Sequence, residues 1–201
     1  MLEASLNKVE IFSGLINNET VNSLKAFVNK NLQIIYSPGM KVYKDKTESI
    51  SFSIPLVDKE NESDGVIKWI NFKSNFVKTL DDQSFRQLTV EVSNYPDKIK
   101  LREGKGKKIL MYPFSSYMVH IGAGWTIEKI EMYQKTDNWI SFKQVYDYAI
   151  VFYLPGKREF CIHTDEKEKD ILLLRSDKNF IEQIKGKGTV GNTLSNGLRA
   201  R

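Results

Sequence analysis

Residues 148–164, YAIVFYLPGKREFCIHT, constrain this chain more than any other stretch. Two apolar runs flank Pro155-Gly156. Proline presets φ at the second position of a turn and glycine accepts positive φ at the third. Leu154-Pro155-Gly156-Lys157 therefore predicts a type II turn joining two antiparallel strands. The first arm, 149–153, is apolar on both faces, the pattern of a strand covered on both sides. The second arm alternates, with Phe160 and Ile162 on one face and Cys161, His163 and Asp165 on the other. A central hairpin of this kind needs further strands around it.

Those strands are legible along the chain. Short apolar or alternating runs occur at 33–36, 40–44, 66–72, 88–92 and 171–174, with turn residues between them. Residues 49–54 alternate Ile50, Phe52 and Ile54 with three serines, which predicts one wet face, and Pro55 predicts a sheet edge or the end of the strand. Residues 99–102 and 108–112 flank a Gly104/Gly106 tip as a hairpin. Gly122-Ala123-Gly124 predicts a bulged or sharply bent strand. Helical spacing appears first over 2–12, through Leu2, Leu6 and Val9. It returns over 19–31, where Val21, Leu24, Phe27 and Val28 form one stripe behind an Asn17 or Asn18 cap. Ser176 predicts the cap of a short helix ending near 184.

The expected architecture is α+β: an N-terminal helical pair packed on a largely antiparallel, curved sheet or open barrel, with a short C-terminal helix. Strands follow strands without alternating helices, which argues against a doubly wound parallel sheet. Residues 1–184 read as one domain and 185–201, with four glycines, as a flexible basic tail.

Composition narrows the functional classes. The chain has 201 residues, 41% hydrophobic and 27% charged, enough apolar mass for a real core. One cysteine leaves no internal disulfide, no apolar run approaches a membrane span, and Glu3 breaks any signal-peptide pattern. The expectation is a soluble, intracellular protein. A net charge of +5 favours an anionic partner.

The densest charge lies in KIKLREGKGKK, residues 98–108. Lys98, Lys100, Arg102, Lys105, Lys107 and Lys108 stand there against Glu103 alone. Such a hairpin follows a phosphate backbone, and each contact releases counterions. Tyr95, Tyr112 and Phe114 lie near enough in sequence to stack on unpaired bases. The plainer reading is a solvated hairpin whose lysines discourage edge-to-edge pairing. Pro96-Asp97 with Glu103-Gly104-Lys105 also imitates the Pro-Asp…Glu-x-Lys arrangement of metal-dependent nucleases, in which Asp97 and Glu103 would hold Mg²⁺ and Lys105 would orient water. Cys161-x-His163-x-Asp165 offers a possible nucleophile pair or three metal ligands, with His120 or water as a fourth. The plainer reading there is a buried thiol beside a partly exposed imidazole.

The leading expectation is a non-enzymatic, cofactor-free protein that engages nucleic acid or another polyanion through residues 98–108, aided by Lys185, Lys187, Arg199 and Arg201 of the tail. A Mg²⁺-dependent nuclease is the alternative. A third reading is an assembly module, such as a homo-oligomer, in which an edge strand at 49–54 pairs with another chain.

Overall fold

The computed structural model describes residues 10–37, 40–56, 68–78, 84–97, 117–138, 142–165 and 171–195. In chain order its elements are β1 (Glu10–Gly14), α1 (Asn18–Lys25), β2 (Asn31–Ser37), β3 (Met40–Val42), β4 (Thr47–Ser49), β5 (Ser51–Leu56) and β6 (Lys68–Lys78). They continue as β7 (Ser84–Ser93), β8 (Tyr117–Thr126), β9 (Lys129–Asn138), β10 (Phe142–Leu154), β11 (Arg158–Thr164), β12 (Leu172–Arg175), α2 (Lys178–Gly186) and β13 (Thr189–Ser195). This is a sheet-rich α+β arrangement. Among the described residues, no helix is long and apolar enough to cross a membrane.

The strands form two sheets. One runs β13-β9-β10-β11-β12-β4-β3, with β1 added in parallel along the start of β10. The other runs β7-β6-β5-β2-β8, and its pairings are antiparallel. Their inner faces share one core. Ile130, Ile150, Phe152 and Ile162 from the first sheet belong to it with Phe52, Ile70, Phe72 and Leu88 from the second. The rings of Phe72 and Phe152 meet edge to face at 6.1 Å across the interface. Burying side chains of this size stabilises the fold by about 1.5–3 kcal/mol each. Leu24, Phe27 and Val28, from α1 and the turn after it, join the same core.

The central hairpin forms as its sequence requires. Leu154 pairs with Arg158, Phe152 with Phe160 and Ile150 with Ile162. Gly156 takes φ +76°, the positive value expected at the third turn position. The cap of α1 is also as expected, since the Asn17 side chain accepts from Thr20 N–H at 2.8 Å. The helix is shorter than its apolar stripe, ending at Lys25.

Three expectations are corrected. Residues 10–12 of the helix expected over 2–12 belong to strand β1 instead, while residues 1–9 lie outside the described residues. Pairing with β10 and the edge-to-face contact of Phe12 with Phe142 at 5.6 Å hold residues 10–12 extended. The serine face of 49–54 is not wet: Ser49, Ser51 and Ser53 are buried, while Ile50 is 43% exposed. The reason is a change of sheet. β4 ends at Ser49 in one sheet and β5 begins at Ser51 in the other, with Ile50 at the corner. At this corner Ser49 Oγ bonds Ser37 Oγ and accepts from Ser51 N–H, and Ser53 Oγ donates to Asn71 Oδ1 at 2.6 Å. Third, β5 is not an edge strand, because β2 and β6 flank it. Pro55 is tolerated because the β2 pairing reaches β5 at Tyr36↔Ser53 and not at the proline.

Two irregularities shape the sheets. In the β2–β8 pairing, Leu32 opposes Trp125 but Ile34 opposes His120, so the glycine segment of β8 is bulged as its sequence predicts. In β10 the register passes from Asp147↔Gln134 to Ala149↔Tyr133, which leaves Tyr148 as the extra residue. The outer face beyond this bulge is covered by α2, whose Ile181 and Ile184 pack with Ala149, Val151 and Cys161. After α2 the chain forms β13 against β9, within the stretch for which the sequence predicts a mobile tail. Only Leu194 of this strand is buried, so it carries no apolar periodicity to read.

Candidate anion-binding cleft

Three segments distant in sequence meet at one end of the first sheet. They are the turn between β3 and β4, the turn of the central hairpin, and the link from β12 into α2. Together they enclose a cleft of about 860 Å³, a size typical of small-molecule sites. Leu154, Phe160 and Leu174 form its apolar floor, continuous with the main core. Lys44, Lys46, Lys157, Arg158, Arg175 and Lys178 line its rim, against Asp45, Glu159 and Asp177.

Local chemistry fixes each wall. Tyr43 N–H donates to Lys46 O at 2.8 Å, and Lys46 pairs with Glu48 at 2.5 Å, which closes the first turn. Arg158 Nε donates to Pro155 O at 3.0 Å, bracing the second. Lys157 adopts φ +60°, a left-handed conformation that a non-glycine residue seldom takes and that is found disproportionately at functional sites. Asp177 caps α2 by accepting from Phe180 N–H at 2.9 Å, a role the sequence reading gave to Ser176.

All three carboxylates of the cleft are engaged. Asp45 pairs with Arg175 at 3.2 Å, Glu159 pairs with Lys185 at 2.7 Å, and Asp177 holds the helix cap. Lys44, Lys157 and Lys178 are exposed and make no ion pair among the described residues. Arg175 is anchored differently. Its side chain is 10% exposed, its guanidinium lies 3.5 Å from the Phe180 ring centre, and its Nε is buried without a hydrogen-bond partner among the described residues. The aromatic rim residue is Tyr43, 46% exposed. The cleft thus presents unopposed positive charge above an apolar floor, an arrangement suited to an anion with a nonpolar part.

The residues singled out from sequence fall elsewhere. Lys98, Lys100, Arg102, Glu103, Lys105, Lys107 and Lys108 lie outside the described residues, as do Tyr112, Phe114, Arg199 and Arg201. Asp97 is fixed to the second sheet: its carboxylate pairs with Lys73 at 2.8 Å and its N–H donates to Ser53 Oγ and Asn71 Oδ1. Tyr95 is 67% exposed. Lys185 is held by Glu159 and Glu182, which removes it from the set of available tail charges.

Cys161 and His163 do share a strand face, as alternation requires, but that face is beneath α2. Cys161 is fully buried, and burial pushes its thiol well above the usual range, so the nucleophilic thiolate is suppressed. His163 Nδ1 bonds Thr164 O at 2.9 Å rather than the cysteine, and its ring faces Phe180 at 5.7 Å. Burial pulls the imidazole down to about 4. Among the described residues no group of three His, Cys, Asp or Glu side chains is placed to hold a metal ion.

Sequence reasoning missed the cleft because its cations are scattered over three turns. The available signals were local: KVYKDK in one turn and PGKR in another, each a cluster of charge beside residues that favour chain reversal. Comparison with known protein families, with curated proteins and with solved structures finds no match to this chain.

Proposed function

We propose that this protein is a non-enzymatic binding protein for a polyanion, with nucleic acid as the ligand class, and that the cleft is a principal contact. One observation carries the reading: every carboxylate in the cleft is already engaged, while Lys44, Lys157 and Lys178 are not. Their field extends outward over a surface that a chain of phosphates satisfies by counterion release. Residues 98–108, with six further cations in the sequence, supply a second contact in this reading. We also read the corner at Ile50, where one strand pair passes between sheets, as the seam of an open barrel. Barrel mouths are a frequent place for ligand clefts.

The test is fluorescence anisotropy with labelled single- and double-stranded DNA and RNA at about 50 and 200 mM salt, with and without Mg²⁺, followed by gel analysis of the products. Binding is expected to weaken steeply with salt. Replacing Lys44, Lys157 and Lys178 together by glutamine lowers the slope of log K against log salt by about two to three. Charge reversal at Lys105, Lys107 and Lys108 weakens binding across sequences. Absence of binding at low salt overturns the proposal. Mg²⁺-dependent cleavage lost in Asp97→Asn and Glu103→Gln replaces it with the nuclease reading.

A further inference from the structure

Within that binding reading, on which this inference rests, we infer that the cleft seats one unpaired nucleotide of a single strand. Its phosphate takes the place of the Asp45 carboxylate on Arg175, and its base lies between Tyr43 and the apolar floor.

The argument begins with Arg175. Its stem is buried, its guanidinium lies over Phe180, and its orientation is therefore set before any ligand arrives. A guanidinium carries five donors in a planar fork suited to phosphate. Among the described residues the one ion pair of this fork is a single contact with Asp45, whose side chain is 65% exposed on a surface turn. Its buried Nε has no hydrogen-bond partner among the described residues. A largely buried cation, oriented by Phe180 and paired through Nη1 with one exposed carboxylate, is an anion site with an internal occupant. Asp45 gives the Arg175 charge a partner in the free protein and competes with any ligand phosphate.

The rest of the cleft selects what accompanies the phosphate. A bare phosphate would leave most of the 860 Å³ unfilled and the floor of Leu154, Phe160 and Leu174 in contact with water. A nucleobase is planar, largely apolar on its faces, and stacks on an aromatic ring. Tyr43 offers such a ring at the rim, with Lys46 Nζ already 5.2 Å from its centre. A duplex keeps its bases inside the stack, so entry of a base into the cleft favours a single strand. Lys44 and Lys178 stand at the rim for the phosphates on either side.

The experiment compares labelled oligothymidylate, the same length of abasic strand, duplex DNA and polyglutamate. Each is titrated against the wild-type chain and against Asp45→Asn, Tyr43→Ala and Arg175→Lys. The expected order is thymidylate tighter than abasic strand or duplex. Asp45→Asn tightens thymidylate binding about threefold, since an exposed ion pair is removed. Tyr43→Ala weakens it about tenfold, the scale of one stacked base, and leaves the abasic strand unaffected. Arg175→Lys weakens both strands; circular dichroism reports whether this packed variant is folded, and the two exposed substitutions decide the matter if it is not. Equal binding of thymidylate, abasic strand and polyglutamate, or a thymidylate affinity unmoved by Asp45→Asn and Tyr43→Ala, overturns the inference while leaving polyanion binding intact. Failure of all ligands to bind instead overturns the parent reading.

Discussion

The central hairpin carries reactive residue types at two places, and the surroundings treat them oppositely. Along β11, Cys161 and His163 lie under α2, neutral and shut away from solvent. At the turn of the same hairpin, Lys157 and Arg158 stand exposed beside a cleft whose acids are already engaged. A list of side chains ranks the cysteine and histidine above the lysine. Desolvation reverses that order, because burial disfavours the thiolate and the imidazolium alike. Residue chemistry becomes function only where the fold leaves it charged and reachable.

This contrast can be broken at its covered end first. Ile181 is fully buried in the α2 contact, and Ile181→Ala should cost about 2–5 kcal/mol. Native Cys161 should resist a thiol reagent and become reactive in this variant, as followed by absorbance. Rapid labelling of the native wild-type protein would show that α2 does not shield the strand.

The next test is of pH. His163 titrates near 4 in the folded chain and near 6.5 when unfolded. The unfolded state therefore binds more protons between these values, and stability falls as pH drops through that window. The loss approaches about 3 kcal/mol by pH 4. Urea melts at successive pH values measure it, and His163→Phe, which keeps a ring against Phe180, should lack that slope.

Two carboxylates sharpen the same point. Glu131 is buried enough to raise its carboxyl, yet donors from Lys129, Tyr153 and Tyr133 outweigh that and hold it below the ordinary value. Asp147, at the β10 bulge, is raised by burial, which a bond from Ile16 N–H at 2.6 Å does not offset. Above the ordinary carboxylate range its folded form holds the proton more tightly than the unfolded form, so its contribution to stability declines as pH rises. Asp147→Asn should melt higher than wild type at pH 7, and the two should converge below the ordinary carboxylate range. A lower melting temperature for the variant at pH 7 would contradict this.

At the exposed end the effects on stability are small. Lys157→Gly relieves a left-handed backbone and should stabilise by up to about 1 kcal/mol, while weakening polyanion binding. Lys44→Gln and Lys178→Gln should change stability by less than about 0.5 kcal/mol and change binding more. Substantial unfolding by either would mean the rim is structural.

Much of the fold was legible where local sequence and tertiary demand agree. Pro155-Gly156, the Phe160/Ile162 alternation and the Asn17 cap each specify geometry over a few residues, and each is realised. Leu88, in the core, with Val90 and Val92 packed against it, likewise marks the inner face of β7. The failures come from distant partners. β1 reads as helix until β10 pairs with it, the serines of β4 and β5 read as wet until the corner buries them, and β13 has no pattern because β9 recruits its backbone. The cleft is illegible for the same reason: Asp45 and Arg175 are 130 residues apart, and nothing local links them.

The pairing of β1 with β10 also orders events in time. Ile16 N–H finds the Asp147 carboxylate 131 residues further along the chain. At roughly 5–20 residues per second of synthesis, the first strand waits on the order of ten seconds for its acceptor to be made. During that interval Phe12, destined for Phe142, is an unsheltered aromatic on a nascent edge. β1 is thus secured only after β10 has been made, and the yield on expression should depend on the speed of the ribosome and on what shelters that strand meanwhile.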